Sequence, residues 1–152
     1  MLFRSGTATR LTVDVVSGCL LLVQRTRWAE LGGFDQRFLL YGEDLDLSLR
    51  ARHAGYRPEV VAGAEVVHLL GRSSLGVGAR RKAVLTGRVG YFRKHWSPLA
   101  ASLAVALTII GVAGRAATRR GRAAGWGDAW AARAQWRRGY PASASASPES
   151  GG

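Results

Sequence analysis

The 152-residue sequence predicts an α/β body followed by a helical, membrane-associating segment, and three observations carry that reading. Strand-like and helix-like stretches alternate up to about residue 67. Residues 97–114 then run for eighteen positions without a charge. The formal net charge of +12 is unevenly placed: residues 1–79 hold nine Lys/Arg against eight Asp/Glu, and residues 80–152 hold thirteen against two. The balanced part reads as an ordinary folded body. The basic part should be drawn to phosphate, on lipid head groups, nucleic acid or a phosphate-bearing substrate. Only Lys82 and Lys94 among the cations are lysines, an Arg/Ala/Gly bias that also records genomic base composition and discounts the charge as a binding signal. At 47% hydrophobic residues the chain is not wholly disordered. One cysteine, Cys19, and three histidines make neither an internal disulfide nor a zinc-finger ligand set, so packing must supply the stability.

The elements follow in order. Leu11 to Val23 is rich in β-branched and aliphatic residues, broken by Asp14 and the Ser17-Gly18 pair, which predicts two short, mostly buried strand pieces joined at a bend. Thr26 is placed to cap a short helix through Trp28 to Leu31, which Gly32-Gly33 ends. Phe34 to Tyr41 reads as an aromatic loop. A second helix starts around Gly42 to Asp44, where acidic residues suit the first turn, and stops before Gly55. Tyr56 to Val67 reads as strand, turn and strand, and Gly71 to Gly78 as a Gly/Ser loop.

From Arg80 the pattern turns helical, with Val84, Tyr91 and Phe92 near one side and basic residues around them. Ser97 to Gly114 makes roughly 27 Å of helix at about 1.5 Å per residue, just short of a ~30 Å hydrocarbon core. Leu99, Leu103, Leu107 and Ile110 form a large apolar stripe, while Ala100, Ala104, Thr108 and Gly111 form a small-residue stripe suited to close helix packing. Arg115 to Arg138 is basic with Trp126, Trp130 and Trp136 interleaved, a composition for a head-group boundary. Pro141 to Gly152 is a Ser/Ala/Pro/Gly tail expected to be disordered. The expected boundaries are thus a body over 1–96, an apolar membrane-associating helix over 97–114, a basic amphipathic segment over 115–140 and a tail over 141–152.

The densest polar cluster of the body is Glu43, Asp44 and Asp46. Three carboxylates in four positions repel one another; on a helix Glu43 and Asp46 share a face and Asp44 points elsewhere, so one turned into a cleft would hold its proton more tightly and serve as a general base. Taken alone, the same acids also suit a solvated helix N-terminus. His68 stands at the end of a strand-like run, where it either completes an oxygen-rich divalent-metal site or acts as a structural hydrogen-bonding group. Asp35 reads as a turn former.

Three segments together resemble a known family: VDVVSGCLLLVQR (Val13 to Arg25), ELGGFDQRFLLYGEDLDLSLRARHAGYRP (Glu30 to Pro58) and VVHLLGRSS (Val66 to Ser74). They look like the C-terminal half of the catalytic domain of family 2 glycosyltransferases, most of all the bacterial rhamnosyltransferase-like members that build cell-surface polysaccharide. The resemblance covers roughly Val13 to Trp96. It rests on the fixed order of GGFD, an aromatic, Glu-Asp, Asp-Leu, an Arg pair and Ala-Gly-Tyr, a combination more specific than any three-residue motif.

The resemblance implies a partial GT-A-like (nucleotide-diphospho-sugar transferase) α/β domain and an inverting sugar transfer. Asp44 then matches the base that deprotonates the acceptor hydroxyl. Glu43 and Asp46 match acids that shape the acceptor side, the Ser17-Gly18 bend lines the sugar, and Tyr41 joins the substrate-binding set. His68 matches the histidine that helps hold a divalent cation, Mg²⁺ or Mn²⁺, which neutralises the leaving diphosphate. The implied partners are a nucleotide-sugar donor and a saccharide or lipid-linked acceptor. The implied place is the cytoplasmic face of the cell membrane, held peripherally or by a single span at an anionic lipid surface.

The family's nucleotide-binding half, with its Asp-X-Asp metal motif, has no counterpart before Asp14, and Asp44-Leu45-Asp46 follows the Glu-Asp position and does not replace it. The expectation is therefore a fragment, or half of a split enzyme with a separately encoded N-terminal half, inactive alone. Three competing readings were weighed. A nucleic-acid-binding tail suits the Arg and Trp content, but basic residues flanking an uncharged helix-length segment suit a membrane better, and no nucleic-acid partner is expected. A lipoprotein signal at Val16-Ser17-Gly18-Cys19 is disfavoured by Asp14 and by the hydrophobic run after the cysteine, which makes Cys19 a core residue. A plain membrane tether in the second half is compatible with the enzyme reading.

Overall fold

A computed structural model describes residues 10–67 and 76–140, which form two compact units: residues 10–34 with 43–67, and residues 35–42 with 76–140. His68 and the Pro141 to Gly152 tail lie outside the described residues.

In the first unit, strands β1 (Arg10–Thr12) and β2 (Glu59–Val61) pair antiparallel with Leu11 opposite Val60. The pairing is extended by Val13 N–H donating to Pro58 O at 3.0 Å, and Arg10 meets Glu59 at 3.3 Å. Helix α1 spans Arg25–Glu30 and helix α2 spans Glu43–His53. Both helices end as the sequence indicates. Gly32 and Gly55, at φ of +71° and +84°, take the left-handed conformation, and the amides of Gly33 and Tyr56 fold back onto Trp28 O and Ala51 O, each at 2.9 Å. The start of α1 differs from expectation: Gln24 occupies the cap position, Thr26 lies inside the helix, and no side chain caps it.

The larger difference is in Leu11 to Val23. Strand structure stops at Thr12, Gly18 and Cys19 form a turn, and Leu20 and Leu22 are exposed. Cys19 is exposed too, which corrects its assignment to the core. The physical reason is that a β-branched run becomes a buried strand only against a partner strand, and β1 has only the three residues of β2 beside it among the described residues. Val66 and Val67 are likewise exposed and outside any strand.

The second unit is helical. It contains α3 (Val77–His95), α4 (Pro98–Ala117) and three short helices, α5 (Arg119–Ala123), α6 (Trp126–Ala131) and α7 (Arg133–Trp136). Helix α4 starts where Ser97 Oγ accepts the Ala100 amide, with Pro98 in the first turn. It runs three residues past the expected end, with the Arg115 side chain folded back onto Gly111 O at 2.9 Å, and its 20 residues make about 30 Å of helix. Thr118 ends α4 and caps α5 through its side chain. The core joins Leu85 and Val89 of α3, Val105 and Val112 of α4, Ala129 of α6 and Trp136 of α7. Trp136 is fully buried, and its indole N–H is satisfied by Ala129 O at 2.6 Å. The buried residues of α4 are Ala101, Val105 and Val112; the stripe of Ala100, Ala104, Thr108 and Gly111 is only half-buried. α3 thus belongs with the helices that follow it, sharing a core with them.

Within this unit Asp35 does make a turn: the Arg37 amide donates to Asp35 Oδ1 at 2.9 Å. Its carboxylate also pairs with Arg37 at 2.7 Å and Lys94 at 2.6 Å, and these hydrogen bonds, Arg37 first, hold its proton affinity well below the usual carboxylate range.

Candidate functional site

The N-terminal turn of α2 brings together three of the residues singled out in the sequence. The Gly18 amide donates to Asp44 Oδ2 at 3.2 Å, and the Leu45 amide donates to Asp44 Oδ1 at 2.8 Å. A Cβ placed on Gly18 would lie 3.6 Å from Asp44 Cβ and 4.0 Å from Glu43 Oε1, so the Gly18 backbone lies across both carboxylates. Ser17 is exposed just before this turn. One residue earlier, the Val16 amide donates to Ser48 Oγ at 3.2 Å, a second tie from the same extended segment to α2.

The two carboxylates differ in how they are held. Asp44 is half-buried with each oxygen accepting one backbone N–H, which fixes its orientation and leaves further lone pairs open. Glu43 Oε2 is shielded from solvent and has no hydrogen-bond partner among the described residues. A buried acceptor left unmade costs free energy, and a donor brought by a ligand, such as a hydroxyl, would remove that cost. Gly18 also lines a shallow concavity of about 490 Å³, walled by the chain from Cys19 to Val23 and by Trp28 and Phe34, whose rings meet edge-to-face at 5.0 Å.

Asp46 has a different place. Its side chain is fully buried and pairs with Arg50 at 2.8 Å. Arg50 in turn donates to Leu31 O and, at 2.7 Å, to Gly33 O. The pair therefore locks α2 to the end of α1. Arg50 enters the sequence pattern only as one of its Arg pair, with no role attached. The signal was there: a cation four positions after an acid on a helix. What it could not show was that the guanidinium fork would also reach two carbonyls.

Tyr41 belongs to the second unit. It adopts a left-handed φ of 66°, which is strained for a residue with a side chain, and its hydroxyl accepts from Arg80 Nε at 3.1 Å. Gly87 of α3 lets the Tyr41 carbonyl approach, since a Cβ there would be 2.0 Å from that oxygen.

The described residues do not assemble a metal site: no group of three or more His, Cys, Asp or Glu stands close enough to hold an ion among them, and Glu43 offers one open oxygen. His68, the expected ligand, is outside the described residues.

Comparison with known proteins gives a partial kinship. The chain is 45% identical over 56 residues to N-acetylglucosaminyl-diphospho-decaprenol L-rhamnosyltransferase of Mycobacterium tuberculosis, a match covering 37% of this chain and 18% of that protein. It is 38% identical over 56 residues to the rhamnosyltransferase WbbL of Escherichia coli, covering 37% of this chain and 21% of the relative. It is also 38% identical over 60 residues to the O-antigen biosynthesis protein RfbC of Myxococcus xanthus, covering 40% of this chain and 5% of that protein. The chain thus matches about a fifth or less of the length of these relatives, and over that stretch it is related to glycosyltransferases. No family model matches the chain, and no solved structure does.

Proposed function

We propose that this chain carries the acceptor side of an inverting glycosyltransferase of family 2 and GT-A type, which transfers a sugar, rhamnose by the names of its relatives, to a lipid-linked or polysaccharide acceptor. The observation that carries the reading is the pair of carboxylates under the Gly18 turn: Asp44 oriented by two backbone amides, beside a Glu43 oxygen that is buried without a partner.

The chemistry follows from what a sugar hydroxyl lacks. It is a poor nucleophile, so its proton must be taken as its oxygen attacks the anomeric carbon. Asp44 accepts that proton while the C–O bond forms and the bond to the nucleoside diphosphate breaks; attack opposite the leaving group inverts the anomeric configuration. Glu43 Oε2 accepts a hydrogen bond from a second acceptor hydroxyl and so turns the reacting one towards Asp44. Asp46 and Arg50 hold α2 in place and touch no substrate. The wall from Cys19 to Val23 with Trp28 offers an apolar surface to the sugar ring or lipid. A divalent cation enters this reading only through His68, and no step here passes through it.

The test is a chimera in which residues 13–67 replace the matching stretch of the Mycobacterium tuberculosis relative. It is assayed for rhamnose transfer to N-acetylglucosaminyl-diphospho-decaprenol. The chimera should turn over, and Asp44→Asn within it should lose about 10²–10⁴-fold in kcat, the range for a lost general base. Undiminished turnover by the Asn variant would move the base elsewhere.

A further inference from the structure

Helix α4 is long and apolar enough to cross a membrane, yet it presents two different faces. Ala101, Val105 and Val112 are buried in the core of the second unit, with α3 and α6 packed against them. On the opposite side Leu99, Leu103, Leu107 and Ile110 are 82%, 60%, 59% and 66% exposed. These four recur at helical spacing, so they make one line parallel to the axis, about 17 Å long at 1.5 Å per residue. The two hydroxyls along the helix are already satisfied within it: Ser102 donates to Pro98 O and Thr108 to Ala104 O, each at 2.7 Å. Nothing polar along that line is left in need of water.

We propose that α4 lies flat in the interface of an anionic phospholipid bilayer, with this leucine line sunk among the acyl chains, and does not span it. The packing of α4 opposes spanning. Burying its whole circumference in hydrocarbon would either carry in α3, with Arg80, Arg81, Lys82 and Arg88, or strip α4 from the core it shares with Val89 and Trp136. Lying flat requires neither. The choice of a lipid surface over a protein follows from charge: the described second unit holds fourteen Lys/Arg against two acids, Asp35 and Asp128, and both ends of α4 are flanked by arginines, Arg93 before it and Arg119, Arg120 and Arg122 after it. Trp96, 45% exposed beside Ser97, adds an amphipathic ring at the head-group level.

This deepens the membrane location of the proposed enzyme, but its readout needs no sugar transfer, so the two stand or fall separately. The full chain is given a Cys19→Ser change, and single cysteines are then placed at Leu99, Leu103, Leu107 and Ile110 and labelled with an environment-sensitive fluorophore. Vesicles of phosphatidylcholine with and without phosphatidylglycerol carry quenchers at set acyl depths. The expected result is four similar, shallow depths and binding that needs the anionic lipid and weakens with salt. A profile that is deep at the centre and shallow at both ends would mean spanning and overturn the proposal. Leu103→Ser with Leu107→Ser, both on the exposed face, should weaken vesicle binding roughly tenfold or more while leaving the helical circular dichroism unchanged. Unchanged binding by the folded double variant would overturn it as well, as would self-association of the parent chain in lipid-free buffer that the same double variant abolishes.

Discussion

Replacing Arg50 by Met leaves Asp46 as a fully buried carboxylate without its guanidinium and removes the donor to Leu31 O and Gly33 O. Breaking a buried ion pair from one side costs about 3–5 kcal/mol, because the remaining charge keeps its desolvation cost and loses the guanidinium that offset it. Domains of this size hold only about 5–15 kcal/mol in total, so a large share of the stability of the first unit should go. In urea, with a slope of about 1–3 kcal/mol per M, the midpoint for this unit should fall by 1 M or more. Native-state hydrogen exchange at the amides of Leu47 to Ala51 reads the loss where it occurs, since four of the five tryptophans lie in the other unit and would mask it in fluorescence. Arg50→Lys should sit between: an ammonium can meet the carboxylate or the carbonyls but lacks the planar fork that serves both. Asp46→Leu combined with Arg50→Met should recover part of what the single Arg50 change loses, because the buried charge is gone with its guanidinium. Wild-type protection of the α2 amides in Arg50→Met would refute the account, and so would a double variant as damaged as the sum of its singles.

Two further outcomes follow from particular contacts. Gly87→Ala and Gly114→Ala are the same change inside a helix, and propensity alone predicts a gain of about 1 kcal/mol for each. A Cβ at Gly87 would lie 2.0 Å from Tyr41 O and 2.6 Å from its carbonyl carbon, whereas nothing stands within 4 Å at Gly114. Gly87→Ala should therefore lose about 1–3 kcal/mol while Gly114→Ala gains, and denaturant midpoints moving in the same direction would contradict the packing described. Asp35 titrates well below its ordinary value because of Arg37 and Lys94, so its contribution is present above the unfolded carboxylate range and lost as pH falls below about 4. Asp35→Asn should flatten the acid limb of the second unit's stability curve, and an unaltered limb would remove Asp35 from that role.

How far the sequence reached depended on whether a feature is local. The glycines that end α1 and α2 and the uncharged run of α4 were legible because each works through neighbours a few residues away. The acids of the α2 first turn were legible as a cluster, and Ser17-Gly18 as a bend. Leu11 to Val23 misled beyond Thr12 because its composition speaks only of a strand that has partners. For Asp46 the spacing showed a cation four positions on, but not that the side chain would be fully buried against it.

The sequence by itself determined the break in charge near residue 79, the glycine stops of α1 and α2 and the apolar run of α4, since charge, turn-forming glycines and hydrophobic run length are properties of contiguous residues. Only the tertiary structure decided which of three carboxylates stays open, which face of α4 is left uncovered, and that Gly18 lies across Asp44 and Glu43. Those outcomes turn on groups tens of residues apart competing for the same space and the same hydrogen bonds, and proximity of that kind exists only once the chain has folded.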